Sequence, residues 1–468
     1  MKDRLISLDV FRGMTIAGMV LVNNPGASPV YWPLEHAEWH GLTPTDWIFP
    51  FFLFIVGVSI AISLDRNTTG SERPSRKTYS RIFTRAATIY LLGAAISIVP
   101  FFQFQATDAP DAIKLLVWLS FCATIFFLLL RRYRIAAICL ALALLGIAGM
   151  NIAGYNVVPY NFGTLRFGGV LQRISVCYLV TALIFLHTTW RQQVVISVVL
   201  LFAYWLIMTV IPVPGCEVTT INDKACNLAA YLDRLILTEN HIWRGGRVYD
   251  PEGILSTIPA IVTTISGVLT GLWLISSGEG RVTSDEGDSS KLDERAPSVR
   301  PTEDRHSSVR SSPVTRHSSL NKVTGMFFFG LALLALGLIW NSYFPMNKAL
   351  WTSSYVLATT GLALLVLASC YWLIDIKGYV KWAWPFRVFG VNALALFVFT
   401  AFFARMLSAY RVSGPDGQPI SVHRWIMSNV FLPIAQPIDA SLMFAISFIL
   451  LWLFLMWLLY RKNIYIKV

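Results

Sequence analysis

The sequence predicts an all-α polytopic membrane protein, a bundle of about 12 transmembrane helices with both termini in the cytoplasm. Three observations carry this. Of 468 residues, 55% are hydrophobic and only 14% charged, a balance foreign to soluble globular domains. Apolar runs of about 20 residues, the length that crosses a bilayer, recur along most of the chain. The Lys and Arg residues, finally, alternate by loop.

Spans are expected near 8–23, 45–64, 82–102, 112–130, 135–152, 168–187, 193–212, 252–276, 323–343, 350–373, 386–408 and 439–460. No small-residue cleavage site follows the first apolar run, so that span is expected to be retained. If each run crosses once, Lys2, Arg4 and Arg12 share a side with the cluster from Arg66 to Arg85, with Arg131, Arg132 and Arg134, with Lys377, Lys381 and Arg387, and with Arg461, Lys462 and Lys467. The positive-inside rule makes that side cytoplasmic. The net charge of +12 is then a matter of topology: the lipid bilayer is the expected surrounding, and no nucleic-acid partner is expected.

The chain divides accordingly. Residues 1–277 hold spans 1–8, with an outer loop at 24–44 and a second at 213–250. Residues 278–321, poor in apolar side chains and rich in Ser, Arg, Asp and Glu, read as a disordered cytoplasmic linker. Residues 322–468 hold spans 9–12.

No phosphate-binding GxxxxGK[ST] loop, serine elbow or Cys/His metal spacing occurs, so no metal is expected. Cys122, Cys139, Cys177 and Cys370 lie in apolar spans. Cys216 and Cys226 share the outer loop, where a disulfide or two free thiols are both compatible with the spacing.

The polar residues that stand out lie at the outer ends of spans. The stretch VYWPLEHAEWHGLTPTDWIFP, residues 30–50, brings His36 and His40 close to Tyr31, Trp32 and Trp39. Histidine exchanges a proton near neutral pH, so His36 is either a solvated loop side chain or a base, with His40 the weaker candidate. Thr43, Pro44 and Asp46 suit the N-cap, first and third positions of a helix, which makes Asp46 a capping residue. Asn23 and Asn24 end span 1. Gln172 and Arg173 lie inside span 6, at a depth where an arginine pairs or lines a cavity. Asp250, Pro251 and Glu252 read as N-cap, N1 and N2 of span 8, favoured by the positive helix end. They share a depth with Arg173, so an ion pair between them is expected. Asn347, Lys348, Trp351, Ser354 and Tyr355 open span 10, and Asn392 in span 11 reads as a packing hydrogen bond.

Several of these stretches, SLDVFRGMTIAGMVLVNN, LEHAEWHGLTPTDWIFPFFLFIVGVSI, GGVLQRISVCYLV, YDPEGILSTIPAI, NKALWTSSYV and YRKNIYIKV among them, resemble the heparan-α-glucosaminide N-acetyltransferase family in order along most of the chain. The resemblance implies that His36 is the counterpart of the family's catalytic histidine. It maps an asparagine onto Asn23, with Asn24 beside it, maps a conserved arginine onto Arg173, and implies a Cys216–Cys226 disulfide. It also implies transfer of an acetyl group from cytosolic acetyl-CoA, as co-substrate, to the amine of an amino sugar on the extracytoplasmic side. The chain departs from the lysosomal enzyme in spans 4 and 5, in FGGV ahead of LQR, and in Thr400 where that enzyme has a histidine.

The expected machinery follows. His36 serves as general base or acyl acceptor, and Asn23, or Asn24 beside it, as donor to the thioester oxygen. Asn24, Arg173, Gln172, Asp250, Glu252 and Trp351 are expected to bind substrate or cofactor. The expected location is a bacterial inner membrane, and homodimerisation is left open. The alternative is an amino-sugar transporter of the N-acetylglucosamine type, whose site would lie on broken helices.

Overall fold

A bilayer supplies no water to the backbone, so each crossing must close its own hydrogen bonds as a helix. The computed structural model is built this way. It describes residues 5–68, 74–276, 313–414 and 416–466, with backbone alone for 65–68, 276 and 313–318. The helices are α1 (Ile6–Asn23), α2 (Pro44–Thr68), α3 (Arg76–Ile98), α4 (Asp111–Leu129), α5 (Tyr133–Ile152), α6 (Val170–His187) and α7 (Trp190–Val210). After them come α8 (Leu228–Leu237), α9 (Thr257–Ser276), α10 (Pro313–Trp340), α11 (Ser353–Cys370), α12 (Trp384–Val391), α13 (Ala393–Ala409), α14 (Val422–Ile426) and α15 (Pro437–Arg461). Among the described residues eleven helices are long and apolar enough to cross a membrane, and the pair α12–α13 makes a twelfth span if counted as one. The expected spans are all present. Of the linker expected at 278–321, residues 278–312 lie outside the described residues, and α10 is already helical from Pro313.

Burial sorts the helices. The spans α1, α2, α6, α9 and α11 are buried along half their length or more, whereas α5, α7 and α10 are mostly open. Exposed Leu142, Leu144, Leu145, Val195, Phe202 and Phe328 give those outer helices the apolar face that lipid requires.

The inner helices meet on small residues, as expected where dispersion contacts rather than water exclusion drive association. A Cβ placed on Gly57 of α2 would lie 1.9 Å from the Thr264 carbonyl oxygen of α9, and one on Gly267 would lie 2.0 Å from the Phe54 carbonyl oxygen. The two backbones touch there. This contact sets the position of α2, whose first turn carries Asp46.

Two expectations about elements need correction. The eleventh span is not straight: α12 and α13 meet at 83°. Asn392 sits at the break. Its amide nitrogen donates to the Ile464 carbonyl at 3.1 Å and its oxygen accepts from the Ile466 N–H at 2.8 Å. The asparagine thus fastens the C-terminal segment to the break instead of joining two helices. The eighth span starts at Thr257, not at Asp250. The Asp250 carboxylate accepts from the Glu252 N–H at 2.9 Å, so residues 250–256 form a turn ahead of the helix.

The substitution Gly57→Ala is expected to lower the stability of the detergent-solubilised protein by about 1–3 kcal/mol, because a backbone carbonyl must move. Gly149→Ala, where a Cβ meets nothing within 4 Å, serves as the control. Equal thermal unfolding of the two variants would contradict the packing described.

Candidate active site

The cleft lies at the end of α1 remote from the N-terminus, where the C-terminus of α1 and the N-terminal ends of α2, α6 and α11 converge. It has a volume of about 460 Å³. Asn23, His36, Asp46, Arg166, Glu252 and Lys348 supply the polar lining, and Trp39, Trp243 and Tyr249 the aromatic part.

Asp46 organises it. As the third residue of α2 it accepts from the Thr43 N–H at 3.1 Å and from the Thr43 hydroxyl at 3.0 Å, the capping role read from the sequence. The same carboxylate does more. It accepts from the Ala37 N–H at 3.1 Å and lies 2.7 Å from His36 Nδ1. A carboxylate only accepts, so the proton of the neutral imidazole sits on Nδ1 and Nε2 is the basic nitrogen. Asp46 is buried while His36 is half exposed.

The loop around His36 is tied down on every side. The one proton of Thr43 Oγ1 is shared between Asp46 and the Glu35 carbonyl, 2.7 Å away, and Thr45 Oγ1 donates to the Pro33 carbonyl at 2.9 Å. Tyr31 donates to Asp439 of α15 at 2.5 Å. The segment closed by the Cys216–Cys226 disulfide also grips it: Trp39 Nε1 donates to the Ile221 carbonyl, and His40 Nε2 lies 2.9 Å from Asn222 Oδ1. His40 is therefore a clasp, not a second base.

Lys348 enters from a turn held by Asn347, whose side-chain oxygen accepts from the Leu350 N–H at 2.9 Å. Trp351 closes the turn at φ +53°, a region costly for a non-glycine residue. Lys348 Nζ lies 2.9 Å from His36 Nδ1, 3.3 Å from Nε2 and 3.5 Å from Asp46 Oδ1. Burial pulls its ammonium below the ordinary lysine range, against the charges of Asp46 and Glu252, which favour it.

Opposite, Arg166 pairs with both Asp250 and Glu252. Burial disfavours its charge, but the hydrogen bond to Asp250 and the two carboxylate charges outweigh this and hold the guanidinium above its usual range. Asp233 of α8 anchors the same turn, accepting from the Asp250 N–H at 3.2 Å and the Ile254 N–H at 2.9 Å.

The residues singled out in the sequence thus divide. His36, Asn23 and Glu252 line the cleft. Asn24 closes α1 by donating to the Val20 carbonyl at 2.8 Å. Asp250 lies behind Glu252, fully buried against Arg166. Gln172 is buried with its amide against Gly93 and Gly169. Trp351 is fully buried, donating to Thr263 and packed edge-on against Phe49 and Tyr355. The ion pair expected of Arg173 belongs to Arg166 instead. Arg173 is buried over the Trp351 ring and donates to Ser256 and the Gly253 carbonyl, while its Nε and Nη1 have no partner among the described residues. Sequence reasoning passed over Arg166 and gave Asp46 only its cap. An arginine four residues before a helix start has no signature by itself.

Replacing Arg166 by Leu strands the buried Asp250 carboxylate. The expected loss is about 3–5 kcal/mol, read as a lower unfolding temperature. No loss would mean that Asp250 is not held by this pair.

Known proteins resemble this chain in sequence. Residues 4–153 match the family model described as heparan-alpha-glucosaminide N-acetyltransferase, catalytic, a stretch that holds Asn23, His36 and Asp46 and runs through α4 and α5. The heparan-alpha-glucosaminide N-acetyltransferase of Homo sapiens is 25% identical over 512 aligned positions, covering 100% of this chain and 60% of the relative. The Mus musculus protein of the same name is 24% identical over 439, covering 85% of this chain and 53% of the relative. The chain spans a little over half the length of these curated relatives. Over residues 4–153 the chain is similar to the catalytic part of that family, and along most of its length to the two relatives named.

Proposed function

We propose that the chain is a transmembrane N-acetyltransferase that moves an acetyl group from cytosolic acetyl-CoA to the amine of an amino sugar held in the cleft. The observation that carries this is the half-exposed His36, its Nδ1 held 2.7 Å from a buried carboxylate, inside a cleft that also holds Asn23. The names of the relatives support the reaction class.

An amine attacks a thioester only as it loses a proton, and Nε2 of His36 takes it. Asp46 fixes the tautomer and stabilises the imidazolium that forms, as the carboxylate of a catalytic triad does. Negative charge then gathers on the thioester oxygen. The Asn23 amide, for which no partner is recorded among the described residues, is the donor offered to it. The N-terminal ends of α2, α6 and α11 add partial positive charge on the same side. Trp39, Trp243 and Tyr249 give a sugar ring apolar faces to pack on, and Glu252 offers its amine a counter-charge. Direct transfer needs only the base, so the scheme forms no acyl-histidine.

The donor's path imposes a condition. Met19, Ile48 and Phe49 floor the cleft, and Ile16, Val20, Phe52 and Leu53 beneath them are buried in one continuous core. An acetyl group arriving from the cytosol requires α1 and α2 to part along that seam. With both termini cytoplasmic, as the distribution of Lys and Arg indicates, the cleft is extracytoplasmic.

The bend at Asn392 favours a transporter to the extent that broken spans carry transporter sites. Its polar side chain is already satisfied by Ile464 and Ile466, however, so the break offers a solute nothing.

In purified protein assayed with acetyl-CoA and glucosamine, His36→Ala is expected to lower kcat by ~10²–10⁴-fold and Asn23→Ala by ~10²–10³-fold. Full activity in His36→Ala would end the assignment. Uptake of labelled sugar by proteoliposomes without acetyl-CoA, and no acetyl transfer, would establish the transporter.

A further inference from the structure

The proposed transfer has no use for Lys348, yet its amine sits against the base. Nζ lies against the edge of the His36 ring, 2.9 Å from Nδ1 and 3.3 Å from Nε2, and 3.5 Å from Asp46 Oδ1, so a small shift of its flexible side chain brings it within a general base's reach of Nε2. The side chain is 24% exposed, on the cleft side, so a thioester that reaches His36 reaches Lys348 as well. The turn from Asn347 to Trp351 is internally hydrogen-bonded, which holds the residue in place. Burial lowers its proton affinity, which makes the neutral, nucleophilic form accessible. The carboxylates acting against that are Asp46 of α2 and Glu252 of the turn before α9.

We infer that Lys348 is a self-acetylation site: with acetyl-CoA present and no acceptor sugar in the cleft, the acetyl group passes to Lys348 Nζ. This rests on the N-acetyltransferase reading above. The Nζ lone pair attacks the thioester carbonyl carbon and an N–C bond forms. The C–S bond breaks with its electron pair on sulfur, and the proton shed by Nζ passes through His36 Nε2 to the departing thiolate. The products are an acetylated lysine and the free thiol of CoA. An amide is a poor acyl donor beside a thioester, so the acetyl group stays. It removes the cation next to Asp46 and fills the acceptor's place, and that molecule stops turning over. An acetyl group trapped on the protein is therefore not by itself evidence for an acyl-histidine.

The test is to incubate the full chain with acetyl-CoA alone, locate acetyl groups by peptide mass spectrometry, and then measure transfer to glucosamine. Acetylation is expected at Lys348 ahead of the exposed Lys377 and Lys381, in step with loss of transfer. Glucosamine present from the start should prevent both. His36→Ala should lose the Lys348 label while keeping background labelling elsewhere. Lys348→Arg, whatever its initial rate, should show no time-dependent decline. Unmodified Lys348 in wild-type protein that acetylates glucosamine overturns the inference and leaves the transferase reading standing, as does equal labelling of Lys348 in His36→Ala. Neither transfer nor labelling in the wild type overturns both.

Discussion

A buried carboxylate must be fully hydrogen-bonded or it will not stay charged, and the arrangement of this cleft follows from how Asp46 meets that demand. Its donors come from three places: the backbone and hydroxyl of Thr43, the backbone of Ala37 and the ring of His36. Satisfying Asp46 therefore fixes the start of α2, the path of the preceding loop and the orientation of the imidazole at once. Its own carbonyl accepts from Tyr355 at 2.6 Å, which locks α11 to the same point. The positive end of α2 favours the charge.

The remaining helices bring chemistry to that point by their ends. α1 contributes Asn23, the approach to α6 contributes Arg166, the turn before α9 contributes Glu252, and the turn before α11 contributes Lys348. The helices that do so are the buried ones, held at backbone contact by residues such as Gly57 and Gly267. Among the described residues the outer helices α5, α7 and α10 have no share in the lining. Rigid helices meeting at their tips make a positioned site.

Much of the fold was legible because membrane helices advertise themselves through length and apolarity alone, and each expected span is present. The details that failed depend on partners distant in sequence. Asn392 looked like a packing residue because nothing local announces that Ile464 and Ile466 return to it. Asp250 looked like an N-cap because Asp-Pro-Glu suits one, while the competing bond to Arg166 lies 84 residues away. Arg173 attracted attention for its depth, and the partners expected for it were taken by Arg166. His36 was legible only as a residue type and a resemblance. What singles it out, the buried Asp46 beside it, is a tertiary fact hidden beneath a good local explanation. The pairing of Cys216 with Cys226, open on spacing and implied by the resemblance, is present.

The central claim is that Asp46 and His36 work as one unit on an acetyl group delivered between His36 and Asn23. The most direct measurement is a cryo-EM structure of the full chain with a non-transferable thioether analogue of acetyl-CoA. The account predicts the analogue's carbonyl within hydrogen-bond reach of Asn23, its carbonyl carbon facing His36 Nε2, and the seam between α1 and α2 opened by its passage. An analogue bound with its acyl end elsewhere, and that seam still closed, would contradict it.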